Sequence, residues 1–259
     1  NILDQIFAKK RERLAERIQR VSRADMRARA LDSPPTDGFR RALESSPHPV
    51  ALIAEVKRAS PVKGVLRSTF DPVRIAGSYQ SVGVDAMSVL TCADFFQGAC
   101  GDLVAAKRVA QVPTLRKDFT VDAYDLDEAR AMGADAVLLI VYGLSPSQLA
   151  DLRGYGEELG LDVLVEVHDE RELVTALDSG ATMIGVNNRD LRTFETRLET
   201  IEELAPLVPP GAHLVAESAI RSRDDVERVG KAGARSVLIG SRFMGADDIP
   251  AAVAEVMGW

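Results

Sequence analysis

The stretch AMGADAVLLIV, residues 131–141, carries the end of a helix-period segment through one glycine into an apolar, β-branched run. The same join recurs in SVGVDAMSVL (81–90), DSGATMIGV (178–186) and KAGARSVLIG (231–240), each with Gly just past a helix pattern and a strand pattern two or three residues later. Glycine accepts the left-handed backbone that ends a helix, so the joins read as helix stops rather than hairpins. Working outward, the apolar runs are VALIAEVK (50–57), AMSVLT (86–91), PTLRKDF (113–119), AVLLIV (136–141), DVLVEV (162–167), MIGVNN (183–188), HLVAES (213–218) and SVLIGS (236–241), eight candidate strands. Charged helix-period segments separate them, and Ser145, Asp169 and Ser222 stand where N-caps are needed.

Strands that are apolar throughout and alternate with helices imply a parallel sheet with both faces covered. Eight units at this spacing point to an α/β protein of the closed (β/α)8 TIM barrel type. A doubly wound open sheet is the alternative, but it normally offers a glycine-rich first turn and AEVKRASP has no glycine. Residues 1–47 stand outside the count and are expected to form an N-terminal helical extension packed on the barrel of residues 48–259, a single domain overall. In ILDQIFAKKRERLAERI the residues Ile2, Ile6, Leu14 and Ile18 fall on or near one stripe, and the KKRER run reads as a solvated helix face.

A chain of 259 residues with 46% apolar and 27% charged residues is globular. Its net charge of −7 argues against nucleic acid or an anionic membrane as partner, while a local basic pocket for a small anion remains open. Cys92 and Cys100 fit no disulfide framework or zinc spacing and read as buried small apolar residues. The absence of a long apolar span or signal-peptide core makes the cytoplasm the expected location. His48, His168 and His213 are scattered, so no metal site is expected, and His168 reads as a hydrogen-bonding residue near the strand ends.

In such a barrel the C-terminal ends of the strands carry the chemistry. Those ends hold Glu55, Lys57 and Ser60; Lys117 and Asp118; Glu166 and His168; Asn187, Asn188 and Arg189; Glu217 and Ser218; and Gly240 with Ser241. Period two places Ile53, Glu55 and Lys57 on one face, which aims a carboxylate and an ammonium into the mouth if that face is the inner one. A rim ion pair is the plain alternative, but lysines and carboxylates from several strands exceed what a rim needs. The turns after the last two strands, ESAIRS and LIGSRFMG, offer backbone N–H groups at helix starts where barrels often hold phosphate, although GS also serves ordinary tight turns.

Taken in order, IAEVKRASPVKG, LRKDF, GADAVLLIV, LVEVH, GVNNRDL, VAESAI and LIGSRFM closely resemble the indole-3-glycerol phosphate synthase family from about residue 48 onward. The resemblance implies conversion of 1-(o-carboxyphenylamino)-1-deoxyribulose 5-phosphate, a small phosphorylated substrate, to indole-3-glycerol phosphate, carbon dioxide and water, with no metal or organic cofactor. It implies that Lys117 is the acid of ring closure and Glu166 works in the later dehydration. Lys57 then faces the substrate carboxylate, Glu55 orients the lysines, and Asn187, Glu217, Ser218 and Arg189 orient the substrate. Phe96, Phe119, Leu138, Leu191 and Leu238 are implied to cradle the aromatic ring, and Ser60, Ala219, Gly240 and Ser241 to bind phosphate. A monomer is expected.

The chain departs from the family pattern at Ala219, where glycine is usual, at Cys92, where an acidic residue is usual, and at Ala99, where serine is usual. None of these removes a proton-transfer group. The rivals are a phosphoribosylanthranilate isomerase-like barrel, a Schiff-base aldolase using Lys117 or Lys57, and a catalytically impaired barrel that only binds ligand.

Overall fold

The structure is a computed structural model and describes residues 1–190 and 195–259. The apolar runs become β1 (Ala51–Val56), β2 (Ala86–Leu90), β3 (Thr114–Lys117), β4 (Ala136–Ile140), β5 (Asp162–Val167), β6 (Met183–Asn187), β7 (His213–Glu217) and β8 (Ser236–Ile239). Each pairs in parallel with the next, and β1 closes on β8 in the register Ala51↔Ser236 to Ala54↔Ile239. This is the closed (β/α)8 barrel, and closure removes the unpaired edges an open sheet would keep. The strands stop short of the apolar runs at the mouth, so Asp118, Ser218 and Gly240 lie just beyond a strand end.

Alternation along each strand divides the core in two. Ile53, Leu115, Leu138, Leu164, Val215 and Leu238 fill the barrel interior. Leu52, Ala54, Val56, Val137, Leu139 and Val165 face the surrounding helices. Both faces are buried, which is why the strands read as unbroken apolar runs. At the joins, Gly83, Gly133, Gly180 and Gly233 have φ of +71°, +83°, +85° and +120°, the backbone that their sequence repeat anticipates. Ser145, Asp169 and Ser222 each accept a hydrogen bond from a first-turn backbone N–H as N-caps.

Ahead of the first strand lie α1 (Ile2–Arg20), α2 (Arg23–Asp32) and α3 (Phe39–Glu44), and they meet opposite ends of the barrel. At the strand starts, the backbone N–H of Arg40 in α3 donates to Asp162, the first residue of β5, at 2.9 Å, and Phe39 and Leu43 join the interior cluster. At the mouth, the ammonium of Lys10 in α1 lies 2.9 Å from Asp118. The buried stripe of α1 is Leu3, Ile6, Phe7 and Lys10, while Ile2, Leu14 and Ile18 are half-buried. The stripe therefore turns about the axis relative to its sequence expectation, because Phe7 packs edge-on to Phe119 at 5.5 Å and brings Lys10 down with it. The KKRER run is likewise not a wholly solvated face, since Lys10 is buried and Arg13 pairs with Asp94 at 2.9 Å.

Candidate active site

A cavity of about 500 Å³ opens at the C-terminal ends of the strands. The alternation that sends Ile53 into the interior also delivers Glu55 and then Lys57 to this cavity, where they form an ion pair. On β3 the same alternation follows Leu115 with Lys117. Its ammonium lies 2.8 Å from Glu166 at the end of β5 and 3.1 Å from Glu217 at the end of β7. Asn187, ending β6, donates its side-chain amide to the other oxygen of Glu166 at 3.1 Å. Three carboxylates and two ammonium groups from four strands thus face one another at the mouth.

The charges are unevenly held. Burial alone would lower the pKa of Lys117, but the carboxylates of Glu166, Glu217 and Glu55 outweigh it and hold the ammonium well above the usual lysine range. Glu166 goes the other way: burial would raise it, yet Lys117 and His168 keep it well below the usual carboxylate range. Glu217 is pushed up to about 7, first by burial and then, against the pull of Lys117, by the negative charges of Glu166 and Glu55. One oxygen of Glu217, Oε1, is buried without a hydrogen-bond partner. Two carboxylates on one lysine are thus shifted in opposite directions, Glu166 down and Glu217 up.

Two glycines make room for this cluster. A Cβ at Gly185 in β6 would collide with Oε1 of Glu217, and a Cβ at Gly240 would collide with Oε2 of Glu55. Both positions are fixed by side chains approaching the backbone.

Ser60, Ala219, Gly240 and Ser241, the residues expected to bind phosphate, line the same cavity together with Ser218. Ser218 and Ala219 both adopt left-handed backbone, φ +64° and +65°, which shows why glycine suits the second position better than alanine. Gly240 precedes the short helix Ser241–Met244. Lys63, Arg189 and Arg221 gather on this side. Burial and then its cationic neighbours Arg221, Arg189 and Lys57 lower Lys63, and burial followed by Arg221 lowers Arg189. Cations that crowd one another in this way favour an anion among them.

Phe96, Phe119, Leu138 and Leu238 form the apolar wall of the cavity, with the rings of Phe96 and Phe119 5.9 Å apart. Leu191 lies outside the described residues. The other expected site residues, Glu55, Lys57, Lys117, Glu166, Asn187, Arg189 and Glu217 included, meet in this one cavity. Ile2, Leu3 and Ile6 of α1 also line it, which no local pattern foretold. His168, read from the sequence as an ordinary hydrogen-bonding residue, brings Nε2 to 3.3 Å from Glu166, and its position two residues after Glu166 was the available signal. Lys63 and Arg221, missed in the sequence, follow the expected site residues Ser60 and Ala219 by three and two residues and line the same cavity. Cys92 is buried, with its thiol pushed up to about 12 chiefly by burial, whereas Cys100 is half-buried rather than fully enclosed.

The family model described as indole-3-glycerol phosphate synthase matches residues 3–256. An indole-3-glycerol phosphate synthase of Bordetella pertussis is 46% identical over 250 residues, covering 96% of this chain and 95% of that protein. Among solved structures, a thiamine phosphate pyrophosphorylase from Pyrococcus furiosus superposes with a TM-score of 0.59 at 18% identity over 81% of this chain and 94% of its own. The N-acetylmannosamine-6-phosphate 2-epimerase from Clostridium perfringens gives 0.57 at 16% identity over 74% and 86%. These two likenesses concern the barrel fold alone. The family match over nearly the whole chain, together with the close relative, places this chain in the indole-3-glycerol phosphate synthase family.

Proposed function

We propose that the mouth of the barrel performs the family's reaction with Lys117 as the acid of ring closure and Glu166 as the base of dehydration. The reaction is the ring closure, decarboxylation and dehydration of 1-(o-carboxyphenylamino)-1-deoxyribulose 5-phosphate to indole-3-glycerol phosphate, a carboxy-lyase step of tryptophan biosynthesis, and it is the function of this chain. The observation that carries the residue assignment is the Lys117 ammonium held between Glu166 and Glu217 at 2.8 and 3.1 Å.

Each step asks for a group of this kind. Attack of the aromatic ring on the ketone builds negative charge on the ketone oxygen, and an ammonium facing that oxygen donates as the charge appears. Lys57, paired with Glu55, sits where it meets the substrate carboxylate. The apolar wall of Phe96, Phe119, Leu138 and Leu238 holds the ring against the ketone and keeps bulk water from it. Asn187 and Lys117 fix both oxygens of Glu166, so that the carboxylate faces the C–H to be removed in dehydration. Glu217, Ser218 and Arg189 orient the sugar chain, and Ser60, Ala219, Gly240 and Ser241 take the phosphate beside Lys63 and Arg221.

The division into a helical extension, residues 1–47, and a barrel, residues 48–259, belongs to the proposal, with α1 as a wall of the site. So does a cytoplasmic monomer acting on a small phosphorylated molecule without metal or organic cofactor. No helix among the described residues is long and apolar enough to cross a membrane.

The test is fluorescence-detected formation of indole-3-glycerol phosphate by the protein and by Lys117→Ala. Turnover by the parent and a loss of kcat of about 10³-fold or more in the variant are expected for a general acid. Near-normal turnover in Lys117→Ala would overturn the acid assignment.

A further inference from the structure

The reaction consumes a proton, and the structure offers a path for it. Ring closure forms the bond from the carboxylate-bearing ring carbon to the ketone carbon, and the carbonyl π pair becomes an oxygen lone pair that takes a proton from Lys117. Decarboxylation breaks the ring–carboxylate bond, whose electron pair restores the aromatic ring as CO₂ leaves. Dehydration removes one proton from the carbon beside nitrogen and gives one to the departing hydroxyl, so these two cancel. Each turnover therefore draws one proton from solvent, and Lys117 must be recharged.

With substrate in the mouth, the open face of Lys117 is covered. Behind it the two oxygens of Glu166 face different cations: Oε2 lies 2.8 Å from Lys117 and Oε1 lies 3.3 Å from Nε2 of His168. The other ring nitrogen, Nδ1, lies 2.9 Å from Oε2 of Glu172. Glu172 sits in the first turn of the helix Glu170–Asp178, reaches partial solvent exposure, and also accepts from the His168 backbone N–H at 2.9 Å. The His168 Nε2 atom is buried and aimed at Glu166 without an aligned hydrogen bond.

We infer that Glu172 and His168 form the route by which a solvent proton returns to Lys117 through the two oxygens of Glu166. A small ring rotation aligns Nε2–H with Oε1, which takes that proton from the imidazolium; rotation of the resulting carboxylic acid carries the proton to the neutral amine of Lys117 and restores the carboxylate, and a flip of the neutral imidazole turns its bare nitrogen to Glu172, which hands it a proton drawn from solvent. The direction is favourable. Burial would lower His168, but Glu166 and Glu172 push it up to about 10, so it is charged at neutral pH, and Lys117 is held higher still.

The inference rests on Lys117 and Glu166 acting as proposed, and the experiment separates the two. First-turnover and steady-state rates are measured by indole fluorescence for the parent, His168→Asn, Glu172→Gln and Glu166→Gln. His168→Asn and Glu172→Gln are expected to complete the first turnover at close to the parent rate, then slow about tenfold or more in steady state, and added imidazole restores the steady state of His168→Asn. Equal slowing of both phases without imidazole rescue would make His168 only a positioning residue and overturn the relay. Unchanged steady state in both variants, with Glu166→Gln inactive, would also overturn it while leaving the base assignment standing. Normal turnover by Glu166→Gln would remove the base assignment and the relay together.

Discussion

Arg116, Lys117 and Asp118 are neighbours in sequence, yet they serve two networks of opposite character. Outside the barrel wall, the Arg116 guanidinium donates to Thr91 at 3.0 Å, to the Asp125 carbonyl at 2.8 Å, to Glu128 at 2.6 Å and to Asp118 at 3.3 Å. Asp118 also takes Thr91 at 2.6 Å and Lys10 of α1 at 2.9 Å. Arg17 of α1 completes the set on Asp125 and Glu128 at 2.6 and 2.7 Å. None of these buried side chains has an orphaned polar atom. Burial would raise Asp118, but Lys10 and Arg116 hold it well below the ordinary range.

Inside the wall the cluster around Lys117 is just as buried but incompletely satisfied. Glu217 Oε1 and His168 Nε2 have no aligned partner, and Glu217 is poised near pH 7. A fully paired buried network fixes geometry, whereas unpaired capacity in a cavity is available to a ligand. The outer network clamps α1 over the mouth and holds the strand from which Lys117 projects.

The largest structural break comes from Arg116→Ala, which strands Asp118 and Glu128 with fewer partners. A loss of roughly 3–5 kcal/mol in unfolding free energy is expected for removing one side of a buried charge network, measured by denaturant titration. A loss below that of an ordinary surface substitution would mean that the outer network is not what secures the wall.

Gly185→Ala acts on the inner cluster alone. Its methyl would occupy the place of Glu217 Oε1 and push that carboxylate off Lys117, so kcat should fall about 10²-fold, with a smaller loss of stability than in Arg116→Ala. Unchanged kcat would show that the position of Glu217 is not critical. The smallest effect is expected from Ala219→Gly. It relieves a left-handed alanine at φ +65°, which should add about 1 kcal/mol of stability and lower KM by loosening the approach to phosphate. A destabilised variant would mean that the flexibility gained by the unfolded chain outweighs the relieved strain.

The barrel was legible because glycine-ended joins and unbroken apolar runs between helix-period segments are local signals; alternation then aimed Glu55 and Lys57 at the mouth, and Lys117 and Glu166 stood at strand ends. Gly185 carried no such signal. Its role depends on the register Gly185↔Val215 and Asn187↔Glu217, which sets Glu217 against it across two strands. Lys10 was equally hidden, since within KKRER it resembles its solvated neighbours and only the distant Asp118 distinguishes it. That α1 walls the cavity follows from long-range packing through Phe7 and Phe119, which amphipathic periodicity does not specify.

One strand divides chemistry from stability between adjacent residues. This division is tested most directly by measuring turnover and unfolding free energy side by side in Lys117→Ala and Arg116→Ala. Lys117→Ala is expected to lose kcat about 10³-fold or more with the smaller loss of stability, and Arg116→Ala to lose the greater stability while its folded fraction keeps kcat within about tenfold of the parent. Near-normal turnover in Lys117→Ala, or a folded Arg116→Ala as inactive as Lys117→Ala, would contradict it.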